Sequence, residues 1–382
     1  MNEDEFVDPT TGAFVQTVDG CRAFVPAPLP PEGLDLRPVL PQIARASASI
    51  GELSGIGRRL TNPFLLVRPF MRREAVASSR IEGTVTSLPQ LLLFEAEEMP
   101  KSATPDARET WNYVRALDMS LGRLADLPIA HRLICEAHAI LLDGVQPGRG
   151  ARIVPGEFKR EQNWIGSRLI ANARYVPPPP AQARDAMSAL DSYINDPADL
   201  TPLPVRLALV HYQFEAIHPF PDGNGRVGRL LIPLMLSQAE ALAQPLLYMS
   251  PYFEKHYEAY IDLLFGVSAR GQWLAWIAFF LEGIIQTSRD AIARIDRLQA
   301  LQDRFRQQVQ TKRSSALLLK IIDFLFERPA TSVTAVARHL GITYAAARHN
   351  IDRLAAEGII VERGAGRPQI WFAPEILDVI SV

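Results

Sequence analysis

Apolar residues recur at helical spacing along most of this chain. Successive helices are predicted over residues 41–100 and 106–290, and the apolar run 273–281 is too short to span a bilayer. The pattern over 288–312 predicts one long amphipathic helix. Residues 1–40 are rich in proline and lack this periodicity, so we expect an extended arm there. The predicted fold class is mainly α.

Two stretches depart from the helical pattern. Residues 162–165 and 173–176, with glycine and asparagine near the bend, predict a short β-hairpin. The C-terminal region, from about residue 314, is typical of a winged helix-turn-helix domain. Its predicted elements are helices over 315–327, 332–340 and 344–357 and two strands around a glycine-rich wing.

Composition narrows the class of protein. A chain of 382 residues supports two or three domains, and its net charge of −2 gives no global attraction to nucleic acid. The two cysteines, Cys21 and Cys135, are far apart, which is typical of a reducing compartment. The acidic N-terminus lacks a signal-peptide pattern, so we expect a cytoplasmic protein without a membrane partner.

The segment from His218 to Arg229 contains the strongest candidate chemistry. Its glycines allow a tight turn, and the apolar run that follows indicates that Asn224 or Gly225 opens a helix. A helix N-terminus binds anions through its free N–H groups.

The polar side chains of this segment extend the same interpretation. Arg226 and Arg229 lie three residues apart on one helix face and can bind neighbouring phosphates. Asp222 can hold a divalent cation between phosphate oxygens, and His218 can accept a proton at neutral pH. Together these residues predict a site for a nucleotide polyphosphate.

Three other interpretations fit the segment less well. Residues 223–228 match the glycine pattern of dinucleotide-binding loops, but no buried strand precedes them. A plain turn does not account for two arginines at a helix N-terminus, where the helix dipole disfavours cations. A zinc site lacks partners for His218 at ligand spacing.

The segment matches His-x-Phe-x-(Asp/Glu)-Gly-Asn-Gly-Arg-x-x-Arg without a mismatch and therefore resembles the Fic family. Most Fic enzymes transfer AMP from ATP to a hydroxyl group of a protein, so a Fic-fold helical core is expected. The resemblance implies a base at His218, a loop anchor at Phe220, Mg²⁺ at Asp222, an anion cradle at Gly223, Asn224 and Gly225, and phosphate-binding guanidiniums at Arg226 and Arg229.

A second motif resembles the family's inhibitory motif. Ser78 and Glu82, followed by Gly83, lie at i and i+4 and share one helix face. Glu82 can pair with a guanidinium of the phosphate site, with Arg229 the first choice, and would then exclude the γ-phosphate. The alternative is a solvated helix end that stops at Gly83.

Residues 158–180 resemble the Fic flap, which clamps an extended target segment; the alternative is an ordinary surface hairpin. Near the adenine the resemblance favours Tyr260 over Tyr257, with core packing as the alternative for both. It further implies that the flap borders the nucleotide at Asn163, Trp164, Ile165 and Gly166.

These patterns divide the chain into an arm and inhibitory helix (1–100), a catalytic core (101–290), a linker helix (291–313) and a winged-helix domain (314–382). The expected function is a protein adenylyltransferase that modifies Ser, Thr or Tyr of a target or of itself and is autoinhibited by Glu82. The expected co-substrate is ATP with Mg²⁺, and a homodimer is an open possibility.

The alternative is a nucleotide-sensing transcriptional regulator with a weakly active core. Its DNA or protein partner would bind the winged helix, where Arg348, His349, Arg353 and Arg367 provide positive charge. The intact His218 favours the enzyme, because a sensor has no need of a base. The sequence leaves open other donors (UTP, GTP or CDP-choline), phosphate transfer as in the Doc branch, and removal of AMP.

Overall fold

The computed structural model describes residues 1–60, 64–96, 104–145, 153–310, 316–363 and 369–381, and these ranges are mainly helical, as predicted. Within them, no helix combines the length and apolar character needed to cross a membrane. The helices before the C-terminal region are α1 (Leu40–Arg59), α2 (Phe64–Ile81), α3 (Leu88–Ala96), α4 (Pro105–Arg123), α5 (His131–Leu141), α6 (Pro180–Ile194), α7 (Leu203–Ile217), α8 (Asn224–Gln238), α9 (Ser250–Lys255), α10 (Tyr257–Arg270) and α11 (Trp273–Val309).

Two antiparallel strands precede these helices. β1 (Gly12–Gln16) pairs with β2 (Arg22–Pro26), and Phe14 lies opposite Phe24. Both rings contact Phe6, which also contacts Phe265 of α10. The expected extended arm therefore contains a hairpin that packs on the helical body through an aromatic cluster.

Helices α7 and α8, which flank the candidate site, are buried on nearly every side. α11 packs along α7, where the Trp276 indole N–H donates to the Ala208 carbonyl at 2.9 Å. The part of the predicted linker helix that the structure describes continues α11, which runs from Trp273 to Val309. Ile295 and Leu298 of this segment are buried, and α11 packs on α1 of the body and on helices of the C-terminal region.

The C-terminal region contains α12 (Ala316–Glu327), β3 (Ala330–Ser332), α13 (Val333–Leu340), α14 (Tyr344–Ala356), β4 (Val361–Arg363), β5 (Ile370–Phe372) and α15 (Pro374–Ser381). Their order and the antiparallel sheet β3-β5-β4 match the predicted pattern, with β3 and α15 in addition. The predicted wing, with Arg367, lies outside the described residues. The winged-helix assignment and the domain division stay predictions.

Arg72, which forms a buried ion pair within the body, also connects the body to this C-terminal region. Arg72 of α2 donates to both carboxylate oxygens of Glu95 in α3, at 2.7 and 2.6 Å, and to the Glu327 carbonyl at the end of α12, at 3.0 Å. The Arg72 side chain is 2 % exposed and the Glu95 side chain 9 %. Breaking such a pair leaves an uncompensated buried charge.

We therefore expect Arg72→Met to lower the free energy of unfolding by ~3–5 kcal/mol in urea titrations. The double variant Arg72→Met/Glu95→Leu should recover most of this loss, because both charges are then replaced by apolar groups. As a control, Arg132→Met removes an exposed pair with Glu136 and should change stability little. A double variant no more stable than the single one would contradict this account.

Candidate active site

The loop between α7 and α8 is held in shape by hydrogen bonds between the side chain of Asn224 and the loop backbone. His218 follows α7 in the left-handed conformation, at a φ of 48°. Asn224 accepts a hydrogen bond from the Phe220 N–H and donates one to the Phe220 carbonyl, both at 2.8 Å. Gly223, at a φ of 78°, turns the chain into α8. The predicted helix start at Asn224 is confirmed, and the first N–H groups of α8 are suited to bind an anion.

One ring nitrogen of the His218 imidazole carries no proton. Its Nδ1 lies 3.3 Å from the Glu215 carbonyl, which can only accept, so Nδ1 carries the proton and Nε2 keeps its lone pair. Burial and the positive charge of Lys159 lower the pKa of His218 to about 4. The ring is therefore neutral at physiological pH.

The end of α2 covers Arg229, which is 2 % exposed. The guanidinium donates to Glu82 Oε1 at 2.6 Å, to the Ser78 carbonyl at 2.9 Å and to Ser78 Oγ at 2.9 Å. A Cβ atom at Gly225 would lie only 2.2 Å from Glu82 Oε1, so the carboxylate also contacts the first turn of α8. The pair predicted between Glu82 and Arg229 is present.

The charges of this pair stabilise each other. Burial by itself would raise the pKa of Glu82, but the charge and hydrogen bond of Arg229 outweigh burial and hold that pKa below its ordinary value. Glu82 is thus an anion paired with the Arg229 guanidinium, for which the sequence predicts a phosphate partner. The alternative of a simple solvated helix end does not describe this contact.

A second carboxylate, which the sequence did not single out, binds the other arginine. Glu109 of α4 accepts from Arg226 Nη1 at 3.1 Å and from the Thr84 hydroxyl at 3.1 Å. Asp106, one helical turn earlier, accepts from the Val85 N–H at 3.0 Å. Both guanidiniums of the predicted phosphate site are therefore paired with carboxylates, and α4 anchors the segment that follows Glu82.

Asp222 is placed at the open side of this site. Its side chain is 47 % exposed, and its Oδ1 lies 3.6 Å from Arg226 Nη2. No cluster of three or more metal-ligating side chains occurs in the ranges that the structure describes. Magnesium needs no such cluster, since it commonly binds one or two carboxylates together with phosphate oxygens and water. Asp222 is suited to that role.

His138, to which the sequence analysis assigned no role, supports the loop from behind. Its ring stacks on Phe220 with centroids 3.8 Å apart. Nδ1 accepts from the Gly156 N–H at 2.9 Å, so Nε2 carries the proton that it donates to the Asp222 carbonyl at 3.0 Å. Sequence spacing gives no sign of this contact, because His138 comes from α5.

The predicted flap hairpin is only partly formed. A single β-bridge joins Ile165 to Tyr175, and no regular strands cover 162–165 or 173–176. Gly166, at a φ of 89°, turns the chain directly after the bridge. A 3-10 turn at Ile170–Asn172 then leads back, so the segment is too short for a continuous ladder.

The four flap positions predicted to border the nucleotide have different surroundings. Ile165 lines the cavity in front of His218. The Asn163 amide donates to the carbonyls of His218 and Phe220 at 3.1 and 2.9 Å, so its side chain supports the loop between α7 and α8. Trp164 is 37 % exposed. Gly166 packs against Arg174, where a Cβ atom would lie 2.9 Å away.

A cavity of about 200 Å³ lies between α7, α8, α10 and the flap. Residues around it include Glu82, His218, Gly225, Arg229, Tyr257 and Tyr260. Tyr260 is 2 % exposed, stacks on Phe253 and bonds His211 Nε2 at 2.9 Å, whereas Tyr257 is 42 % exposed. Core packing therefore describes Tyr260 well, and Tyr257 has the more accessible ring.

Comparison with known protein families identifies the chain. The model described as "Fic/DOC family N-terminal" matches residues 40–122, and the "Fic/DOC family" model matches residues 128–236, which includes the loop and α8. The chain belongs to the Fic/DOC family. Among curated relatives it is 32 % identical over 126 residues to "Protein adenylyltransferase Fic" of Culex quinquefasciatus and 34 % identical over 127 residues to that of Drosophila melanogaster.

These alignments cover 33 % of this chain but only 22 % and 23 % of those relatives. Solved structures agree in fold over more of the chain. A Fic family protein from Desulfovibrio desulfuricans has a TM-score of 0.55 at 20 % identity, covering 90 % of this chain and 98 % of its own. A Fic domain-containing signaling protein from Bacteroides thetaiotaomicron has a TM-score of 0.52 at 22 % identity, covering 66 % and 95 %.

The buried imidazoles of this Fic core predict a pH dependence of stability. His211, as expected for a core histidine, bonds the Gly228 carbonyl at 3.0 Å, and burial lowers its pKa to about 3. Between that value and the unfolded value near 6.5, the unfolded chain binds more protons, so stability is lost as the pH falls.

Urea titrations should therefore show a smaller drop in unfolding free energy between pH 7.5 and 5.5 for His211→Gln than for wild type. The expected difference is ~1.4 kcal/mol, the contribution of one imidazole that must stay neutral. Equal drops in both proteins would contradict a neutral, buried His211.

Proposed function

We propose that this protein is a protein adenylyltransferase that moves AMP from ATP to a Ser, Thr or Tyr hydroxyl of a target protein. The observation that carries the proposal is the free Nε2 of neutral His218, located beside the N-terminus of α8 and Arg229. The relatives named protein adenylyltransferase Fic support the same reaction class.

In the proposed reaction, His218 Nε2 accepts the proton of the target hydroxyl while the hydroxyl oxygen attacks the α-phosphorus of ATP. A new P–O bond forms as the bond to pyrophosphate breaks. The N–H groups at the start of α8, with Arg226 and Arg229, would bind the phosphate oxygens on which charge accumulates. Asp222 would hold Mg²⁺, which supplies charge neutralisation between the phosphates.

The flap would hold the target segment next to His218. Its single Ile165–Tyr175 bridge leaves neighbouring backbone groups available to pair with an extended peptide. Leu169 is 63 % exposed and Trp164 37 % exposed, so the flap presents apolar surface to solvent. These features support strand addition as the mode of target binding.

We further propose that the enzyme is autoinhibited by Glu82. With its carboxylate 2.6 Å from Arg229 and against Gly225, Glu82 occupies the volume and the charge that the γ-phosphate requires. Bound ATP would then lack the clamp that aligns its α-phosphorus for in-line attack.

Glu82→Gly should raise the incorporation of label from α-³²P-ATP into a target or into the protein itself, because Arg229 becomes free. His218→Ala in that background should abolish labelling, while binding of a fluorescent ATP analogue persists. Mass spectrometry with each nucleoside triphosphate would identify the donor from the added mass. Unchanged labelling after Glu82→Gly would refute inhibition by this residue, and labelling that survives loss of His218 would refute its role as base.

Glu109→Gln should also raise labelling above wild type, by less than Glu82→Gly, because it frees Arg226 while Arg229 stays paired. We expect the double variant to exceed Glu82→Gly and to bind ATP more tightly in titration calorimetry. Thr84→Val is the matched control, since it removes one hydrogen bond to Glu109 but keeps the ion pair. If Glu109→Gln instead lowers labelling in the Glu82→Gly background, Glu109 orients Arg226 for phosphate rather than opposing it.

The alternative of a DNA-binding regulator has less support. On α14, Arg348 is paired with Asp352 at 3.0 Å and donates to Gln369 at 2.6 Å. Arg367 lies outside the described residues. Regulation of transcription therefore stays a prediction from the sequence, whereas the site around His218 supports an enzyme.

A further inference from the structure

Lys159 is a buried cation close to the catalytic loop. Its side chain is 1 % exposed, and no carboxylate among the described residues forms an ion pair with it. The ammonium donates to Asn163 Oδ1 at 2.7 Å and lies 3.5 Å from the Ile217 carbonyl. A buried charge without an ion-pair partner is costly, so its retention needs a physical reason.

Asn163 forms hydrogen bonds both to Lys159 and to the backbone of His218. Because the Lys159 ammonium in its charged form can only donate, Asn163 presents Oδ1 to it and directs Nδ2 to the opposite side. That amide donates to the carbonyls of His218 and Phe220, at 3.1 and 2.9 Å. The Lys159 N–H donates to the Pro219 carbonyl between them at 2.8 Å. Three consecutive carbonyls of the loop are thus bound by one pair of residues.

The loop needs such support. His218 has a φ of 48°, a left-handed conformation that is unfavourable for a residue with a side chain and persists only when its surroundings enforce it. The backbone conformation sets the direction of the imidazole, and a small error in that direction would move Nε2 from the target hydroxyl.

We propose that Lys159 is a positioning residue for adenylyl transfer, acting through Asn163 to hold the His218 backbone in its catalytic conformation. This inference rests on the proposed function. Lys159 does not line the cavity that contains His218, Gly225 and Arg229, so its effect falls on the base and not on nucleotide binding.

The charge of Lys159 has a second effect on His218. After burial it is the largest influence that lowers the His218 pKa, while Glu82 and Asp222 act in the opposite direction and Glu215 bonds the ring through its carbonyl. Burial lowers the pKa of Lys159 itself to about 7, so the ammonium is charged in the acidic range where His218 would otherwise take up a proton. Removing the charge should raise the His218 pKa.

The test uses the full chain with Glu82→Gly as parent and adds Lys159→Met, Lys159→Arg or Asn163→Leu. We expect Lys159→Met and Asn163→Leu to lower kcat by about 10- to 100-fold with little change in KM for ATP, as for a misplaced catalytic group. Lys159→Arg should restore most of the rate, because a guanidinium also donates to Asn163. Lys320→Met, at an exposed lysine of α12, is the matched control.

A pH profile separates positioning from a general loss of structure. The acidic limb of kcat should move to higher pH in Lys159→Met and stay in place in Lys159→Arg and Asn163→Leu. An NMR titration of the His218 ring, assigned with His218→Gln, should show the same rise without requiring activity. A normal kcat in Lys159→Met, or an unchanged His218 titration in that variant, would overturn the inference. Failure of the Glu82→Gly parent to label any protein would overturn the proposed function instead. The NMR titration would still test the effect of Lys159 on His218 in that case.

Discussion

Arg229 is the charged group around which the resting site is organised. It is a buried guanidinium, and an anion and hydrogen-bond acceptors around it offset the cost of burying its charge. In the resting structure Ser78 and Glu82 meet this need. In the proposed reaction a phosphate of ATP would meet it instead. The proposed inhibition by Glu82 would therefore be a competition of two anions, its carboxylate and a phosphate, for one cation.

The contacts that anchor α2 indicate which part of the Glu82–Arg229 contact can move. Besides the Arg72–Glu95 pair, α2 carries Glu74, which is buried and accepts from Tyr113 and Ser250 at 2.9 and 2.5 Å. These contacts fix the helix in the core. Glu82 lies just beyond the end of the helix, before the left-handed Gly83. Displacement of the Glu82 side chain alone breaks fewer of these contacts than displacement of α2 would.

The catalytic loop shows how an unfavourable backbone is maintained. Asn224 closes it from within, His138 holds it from α5, and the Lys159–Asn163 pair holds it from the flap. Each of these supports forms hydrogen bonds to main-chain groups of the loop. The backbone strain of a left-handed His218 is thus offset by hydrogen bonds from several segments. A rigid loop suits a reaction that depends on in-line geometry.

The sequence by itself determined the local chemistry: the helical class, the turn into α8 at Asn224, the motif from His218 to Arg229 and the spacing of Ser78 and Glu82. These depend on neighbouring residues, whose periodicity and turn chemistry are visible in order along the chain. Short elements with weak patterns, such as β1, β2 and the incomplete flap ladder, were not predictable because their pairing depends on the surface beneath them. Glu109, His138 and Lys159 act through contacts with partners distant in the sequence, Glu109 with Arg226 across 117 positions. Only the tertiary structure decided these partners, because a single acidic or basic residue on a helix or loop carries no sequence signal of the charge it will meet.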